Sequence, residues 1–163
     1  MPKKLFLLFI PVLLASCKSD DDSMDLNCAT VLCATVDDTI YLRFLNPEND
    51  DDLLDNGAID ANLIEVFNQN NQEITFTIEE YPDMGMFLAI PVSRGPFMQQ
   101  SFTIAIEEAD SFTMDIETSL PKSGECCGPY TTLESFNIDG YSYELVEPSA
   151  LPIFSTVYIP NLD

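Results

Sequence analysis

A chain of 163 residues with 28 acidic and 6 basic side chains carries a formal charge of −22, and it has no histidine and no tryptophan. Such a field repels nucleic acid and anionic head groups, and it favours cationic partners, divalent ions and solubility. Without histidine, the usual Ser-His and Cys-His nucleophile pairs and the common zinc hydrolases are excluded, so the chain reads as a non-enzyme.

Residues 1–16 have the layout of a secretory signal. Lys3 and Lys4 give the positive start, Leu5 to Leu14 the apolar middle, and Ala15 and Ser16 the small residues before a cut. The apolar run is about ten residues, half of what a membrane-spanning helix needs, and Pro11 interrupts it. Leu14, Ala15, Ser16 and Cys17 resemble the lipobox of bacterial lipoproteins, in which the cysteine is acylated and becomes the new amino terminus. Cys17 is then the anchor, and two or three acyl chains bury enough CH₂ groups to hold a domain on a membrane where one does not. The tail Lys18, Ser19, Asp20, Asp21, Asp22 resembles the acidic signal that carries Bacteroidetes lipoproteins to the outer face of the outer membrane. The resemblance implies surface display; a lipoprotein facing the periplasm is the alternative.

Cleavage leaves 147 residues, enough for one domain with its own core. We divide the chain into the signal at 1–16, an acylated cysteine with an acidic spacer at 17–27, and a single domain at 28–163. Loss of Lys3 and Lys4 leaves 4 basic residues against 28 acidic ones, a balance of −24. Four cysteines remain beyond Cys17: Cys28, Cys33, Cys126 and Cys127. In an oxidising compartment an even number points to disulfides, and four cysteines allow three connectivities. A bond between the neighbours Cys126 and Cys127 needs a strained ring, so the 28/33 pair is expected to be stapled to the 126/127 pair. The large loops so closed are worth roughly 3 to 5 kcal/mol. A four-thiolate zinc site needs ligand spacings that these cysteines do not have.

Cys28 to Val36 reads as a first strand. Thr39 to Leu45 is a second, with Ile40, Leu42 and Phe44 on a buried face and Tyr41 and Arg43 on the other. A loop follows from Asn46 to Asp52, continued by the turn Asp55, Asn56, Gly57. Leu63 to Asn68 and Glu73 to Tyr81 read as a hairpin, the second arm turning Ile74, Phe76 and Ile78 inward. Met86 to Val92 is a short strand, and Ser93 to Pro96 a turn. Phe102, Ile104, Ile106 and then Phe112, Met114, Ile116 form a second hairpin. Leu120 to Pro129 is irregular and carries two cysteines. Tyr130 to Ile138 and Tyr141 to Val146, joined by Asp139 and Gly140, read as a third hairpin, and Ile153 to Ile159 as a last strand. Helix is limited to a turn or two near Ala58 to Leu63. Some eight to ten short strands joined by Gly, Pro, Asn and Asp predict an all-β antiparallel sandwich, with Ig-like and transthyretin-like topologies both open.

Three places offer candidate chemistry. Glu48, Asp50, Asp51, Asp52 and Asp55 supply hard oxygen ligands that would suit calcium, without matching the EF-hand pattern; a solvated acidic loop is the plainer reading. Tyr130, Tyr141 and Tyr143 are candidate aromatics for stacking on a sugar or anchoring a protein, although cross-strand packing is the plainer reading. Asp22-Ser23-Met24 and Asp38-Thr39-Ile40 resemble the O-glycosylation motif of Bacteroidetes exported proteins. The chain as a whole resembles the small, β-rich lipoproteins of that group. The resemblance implies a membrane-anchored envelope domain that binds a protein or glycan, or else a structural or accessory subunit of an outer-membrane uptake or adhesin complex.

Overall fold

Alternation of large apolar with polar residues, repeated in segments too short for helices, leaves strands as the way to bury one face of each segment. The computed structural model describes residues 36–107, 109–120, 129–146 and 150–162. The signal, Cys17 and its spacer, the strand expected at Cys28, and all five cysteines lie outside the described residues, apart from Val36, which is exposed and not in a strand.

Among the described residues there are nine strands: β1 (Thr39–Leu45), β2 (Ile64–Asn68), β3 (Thr77–Tyr81), β4 (Gly85–Pro91), β5 (Phe97–Ile106), β6 (Phe112–Ser119), β7 (Thr132–Asp139), β8 (Ser142–Leu145) and β9 (Ile153–Tyr158). They form a β-sandwich of two sheets, one ordered β3-β4-β1-β9-β8 and the other β2-β5-β6-β7. Every pairing is antiparallel except β1 with β9, which run parallel from Ile40 opposite Ile153 to Leu45 opposite Tyr158. The first and last described strands therefore lie side by side within the larger sheet.

The inward residues of both sheets form one apolar cluster: Ile40, Leu42 and Phe44 of β1, Leu88 and Ile90 of β4, and Ile153 and Val157 of β9. They meet Ile64 and Val66, Phe102, Ile104 and Ile106, Phe112, Met114 and Ile116, and Ile138 of the facing sheet. Leu53, Leu54 and Ile59 seal one end of this core from the loop that follows β1. The helical expectation reduces to a 3-10 turn at Ala61–Leu63, started by Asp60, whose carboxylate accepts from Asn62 N at 2.9 Å. That bond holds the Asp60 carboxyl below its ordinary 3.8.

Two of the three expected hairpins are corrected. Only β5 and β6 pair as the alternation suggested. β2 pairs with β5 and β3 with β4, so the chain leaves one sheet for the other after a single bridge between Phe67 and Glu73. Likewise β7 and β8 belong to different sheets, and Asp139-Gly140 forms a corner between them. Gly140 turns that corner at φ +113, where a Cβ would lie 3.1 Å from Phe112 Cβ.

Candidate functional site

The acidic loop after β1 is organised by its own side chains. Asn46 is buried, donates through Nδ2 to Leu162 O at 2.7 Å and accepts at Oδ1 from Glu48 N at 2.9 Å. Asn49 accepts from Asp51 N and donates to its carboxylate. Asp50 takes the left-handed conformation at φ +59, which Asp tolerates better than most residues. Asp52 points into the protein. Its Oδ2 accepts from Arg43 Nε at 2.9 Å and Met86 N at 3.1 Å, and its Oδ1 from Leu54 N at 3.2 Å and Asp55 N at 3.3 Å. Among the described residues no group of three or more acidic side chains gathers as a metal site, and of Glu48, Asp50, Asp51, Asp52 and Asp55 it is Asp52 that turns inward, to Arg43.

The three candidate tyrosines are separate. Tyr130 precedes β7, whereas Tyr141 follows it, so the two stand at opposite ends of an eight-residue strand. Tyr141 packs edge-on against Phe112 at 5.6 Å and donates to Asp110 O. Tyr143 packs against Phe136 at 5.5 Å and donates to Phe136 O. Both pack where the chain passes from one sheet to the other, Tyr141 from the corner itself and Tyr143 from β8 onto β7 of the facing sheet, and both hydroxyls donate to backbone carbonyls. Asp38, of the second glycosylation motif, has both carboxylate oxygens engaged, by Thr131 Oγ1 and Arg94 Nε, and Thr39 is paired with Pro91 inside the larger sheet. The motif thus begins strand β1, held by these pairings. The Asp22-Ser23-Met24 motif lies outside the described residues.

The aromatic constellation forms elsewhere. On the outer face of the five-stranded sheet, Tyr41, Phe87 and Ala89 are buried in a second apolar cluster, with Tyr81 and Phe154 packed against it. Tyr41, expected to face water, is only 4% exposed. Its ring stacks on Phe154 with centroids 4.7 Å apart and planes at 10°, and Tyr81 meets it edge-on at 5.3 Å. Phe87 and Tyr81 both meet Phe154 edge-on at 5.4 Å. Offset and edge-to-face pairs of this kind add about 0.5 to 1.5 kcal/mol each beyond their buried area. The Tyr41 hydroxyl donates to Asp37 Oδ2 at 2.9 Å, and burial holds its phenol protonated well above the ordinary 10.0.

Beside these rings lies a depression of about 210 Å³, lined by Arg43, Asp83, Met84, Phe87, Val146, Phe154, Ser155 and Thr156. The Arg43–Asp52 ion pair is seated against Gly85. At φ +101, a side chain there would be strained, and a Cβ would lie 2.8 Å from Arg43 Nε and collide with the Asp52 carboxylate. The depression is thus lined by the buried Phe87, the half-buried Phe154, two exposed apolar side chains, one held guanidinium and one carboxylate.

The outer face of the four-stranded sheet is different in kind. Gln69, Gln99, Gln100, Ser101, Asp115 and Glu117 line a polar groove of about 360 Å³ there. Two of its amides have partners: Gln99 Nε2 donates to Glu117 Oε1 at 2.6 Å, and Gln69 Oε1 accepts from Ser101 N at 3.4 Å.

Sequence reading missed the aromatic face because its members come from β1, β3, β4 and β9, far apart in the chain. The available signal was Tyr41 standing at an outward position beside Arg43. No protein-family model, no curated protein and no solved structure matches the chain.

Proposed function

We propose that this chain is an outer-membrane lipoprotein, tethered through acyl groups on Cys17 and displayed at the cell surface. Its body would be a non-enzymatic binding domain for a protein or a glycan. The anchor reading rests on the sequence alone: the lipobox at residues 14–17 and the acidic tail behind it. In this reading the sandwich is of the Ig-like or transthyretin-like kind and is stapled by disulfides among Cys28, Cys33, Cys126 and Cys127.

One observation carries the binding role. A depression walled by two exposed apolar side chains, Met84 and Val146, lies beside the buried aromatic cluster of the five-stranded sheet, while the groove on the other sheet is lined mainly by amides and acids. Apolar surface concentrated in that way marks contact sites on soluble bodies.

Metabolic labelling with an alkyne fatty acid tests the anchor: the natural chain should take up label and Cys17→Ser should not. Protease shaving of intact cells should remove the body without lysis. Crosslinking followed by pull-down from solubilised membranes tests the binding role, and a stoichiometric envelope partner would make the chain an accessory subunit. A label-free natural chain, or a body protected until the cells are broken, would overturn the anchor and display readings respectively.

A further inference from the structure

Of the five large apolar side chains that the described residues expose, two wall the same depression: Met84, 43% exposed, and Val146, 76% exposed. They reach it from separate places, Met84 from the turn between β3 and β4 and Val146 from the end of β8. Between them the floor is made by the rings of Phe87 and Phe154 with Thr156. At about 210 Å³ this is smaller than the usual cleft for a drug-sized ligand, and its size suits one side chain or ring.

Charge selects what that group is attached to. Only two basic residues, Arg43 and Arg94, lie among the described residues, and each is ion-paired at 2.9 Å, with Asp52 and Asp38. Acids border the depression and its sheet face. Asp83 lines it, Glu144 stands opposite Thr156 on the neighbouring strand, and Glu79 stands opposite Phe87. The whole chain after signal removal carries −24. Such a field repels acidic glycans and accelerates encounter with cations.

We infer that this depression docks a basic segment of a partner protein, which inserts one apolar or aromatic side chain flanked by lysine or arginine. The inference rests on the binding reading above and names the partner class for that surface. The inserted group lies against Phe154, Phe87, Met84 and Val146, and the flanking cations meet Asp83, Glu144 and Glu79. Arg43 is held through Nε by Asp52, which leaves its Nη groups to donate to a backbone carbonyl of the partner.

The absence of tryptophan makes the test direct, because a tryptophan peptide reports on itself against a silent protein. The full-length chain in detergent, with detergent alone as blank, is titrated into Ac-Lys-Lys-Trp-Lys-Lys-amide and into its glutamate counterpart. The basic peptide should show a saturable blue shift that weakens with added salt, and the acidic one should show none. Replacing both wall residues, Met84→Ser with Val146→Ser, should weaken the basic peptide about tenfold with an unchanged melting temperature. Leu63→Ser, an exposed leucine outside the depression, should leave binding unchanged. Equal binding of both peptides, no binding, or indifference to the paired serine variant would overturn the inference. Saturable binding of a neutral hexasaccharide that displaces the peptide would overturn it too, while leaving the broader binding reading standing; that reading falls if pull-down also finds no ligand.

Discussion

Thr131 Oγ1 donates a hydrogen bond to Asp38 Oδ1 across 93 positions of sequence, and the contact is buried on the threonine side. The second carboxylate oxygen of Asp38 holds Arg94 Nε at 2.9 Å, and Arg94 Nη2 donates to Pro129 O at 3.2 Å. Backbone bonds extend the knot: Val92 N donates to Asp38 O and Leu151 N to Thr131 O. One aspartate thus ties the start of β1, the link between β4 and β5, and the approach to β7. Asp38→Ala should cost about 2 to 3 kcal/mol, since it strands both the Arg94 charge and the Thr131 hydroxyl. Asp38→Asn should cost less, because an amide still accepts from Thr131. Urea midpoints of the two variants check this, and equal losses would show that the ion pair alone matters.

The same knot bears on the cysteines. Cys33 precedes Asp38 by five positions and Cys127 precedes Thr131 by four, so two cysteine segments lead into chain positions that are bonded to each other. Tethering at such short range raises the effective concentration of one pair for the other. Unreduced peptide mapping should recover bridges joining the 28/33 pair to the 126/127 pair. A vicinal 126/127 bridge, or free thiols in exported protein, would overturn the pairing.

Gly85 is required by the ion pair beside it. Its φ of +101 is strained for any side chain, and a Cβ would run into both Arg43 and Asp52. Gly85→Ala should destabilise the protein by about 2 to 4 kcal/mol and turn Arg43 away from the depression. Thermal unfolding measures the first effect. The basic tryptophan peptide measures the second, and a variant with natural stability would show that the pair has other places to sit.

How far the fold is legible in the sequence follows from what alternation encodes. The runs around Ile40, Ile104, Met114 and Val157 show which side of each strand is buried; β1 and β9 keep nearly the expected bounds, whereas β5 starts five residues earlier, at Phe97, and β6 runs on to Ser119. Alternation does not encode which neighbour a strand pairs with, because both sheets bury the same kinds of residue against one core. Gln69 to Gln72 and Asp139-Gly140 therefore read as hairpin turns, whereas the strands on either side of each turn join different sheets. The candidate site escaped for a related reason. Tyr41, Tyr81, Phe87 and Phe154 become neighbours only once β3, β4, β1 and β9 are laid in order. The inward turn of Asp52 to Arg43 was not legible, because a run of acids carries no sign of which one leaves the solvent.

Thr118 is a polar residue at an apolar position. It sits on β6 where the register with β7 shifts between Glu117 and Thr118, it is fully buried, and its hydroxyl has no hydrogen-bond partner. Burying a hydroxyl unpaired costs about 1 to 3 kcal/mol. Thr118→Val keeps the branched shape and removes the unpaired oxygen. It should raise stability by about 1 kcal/mol and the melting temperature by about 3 °C, with an unchanged denaturant slope. A destabilised valine variant would mean that the hydroxyl finds a partner in solution.

Alkaline pH should loosen the fold through its tyrosines. Burial, aided by hydrogen bonds with Tyr81 and Asp37, holds the Tyr41 phenol protonated far above 10.0. Burial also raises Tyr141, and burial with the Glu144 hydrogen bond raises Tyr158. In the unfolded chain these phenols ionise near 10.0, so above that pH the unfolded state releases protons that the folded state keeps. Their stabilising contribution is full below pH 10 and falls as pH rises beyond it. Tyr41→Phe removes the strongest of the three. It should lower stability at pH 7 by about 1 kcal/mol, through the lost bond to Asp37, while making the decline above pH 10 shallower. Urea midpoints measured from neutral to alkaline pH decide it. If the two proteins lose stability in parallel above pH 10, Tyr41 is not the group that resists ionisation, and Tyr141 and Tyr158 carry the decline.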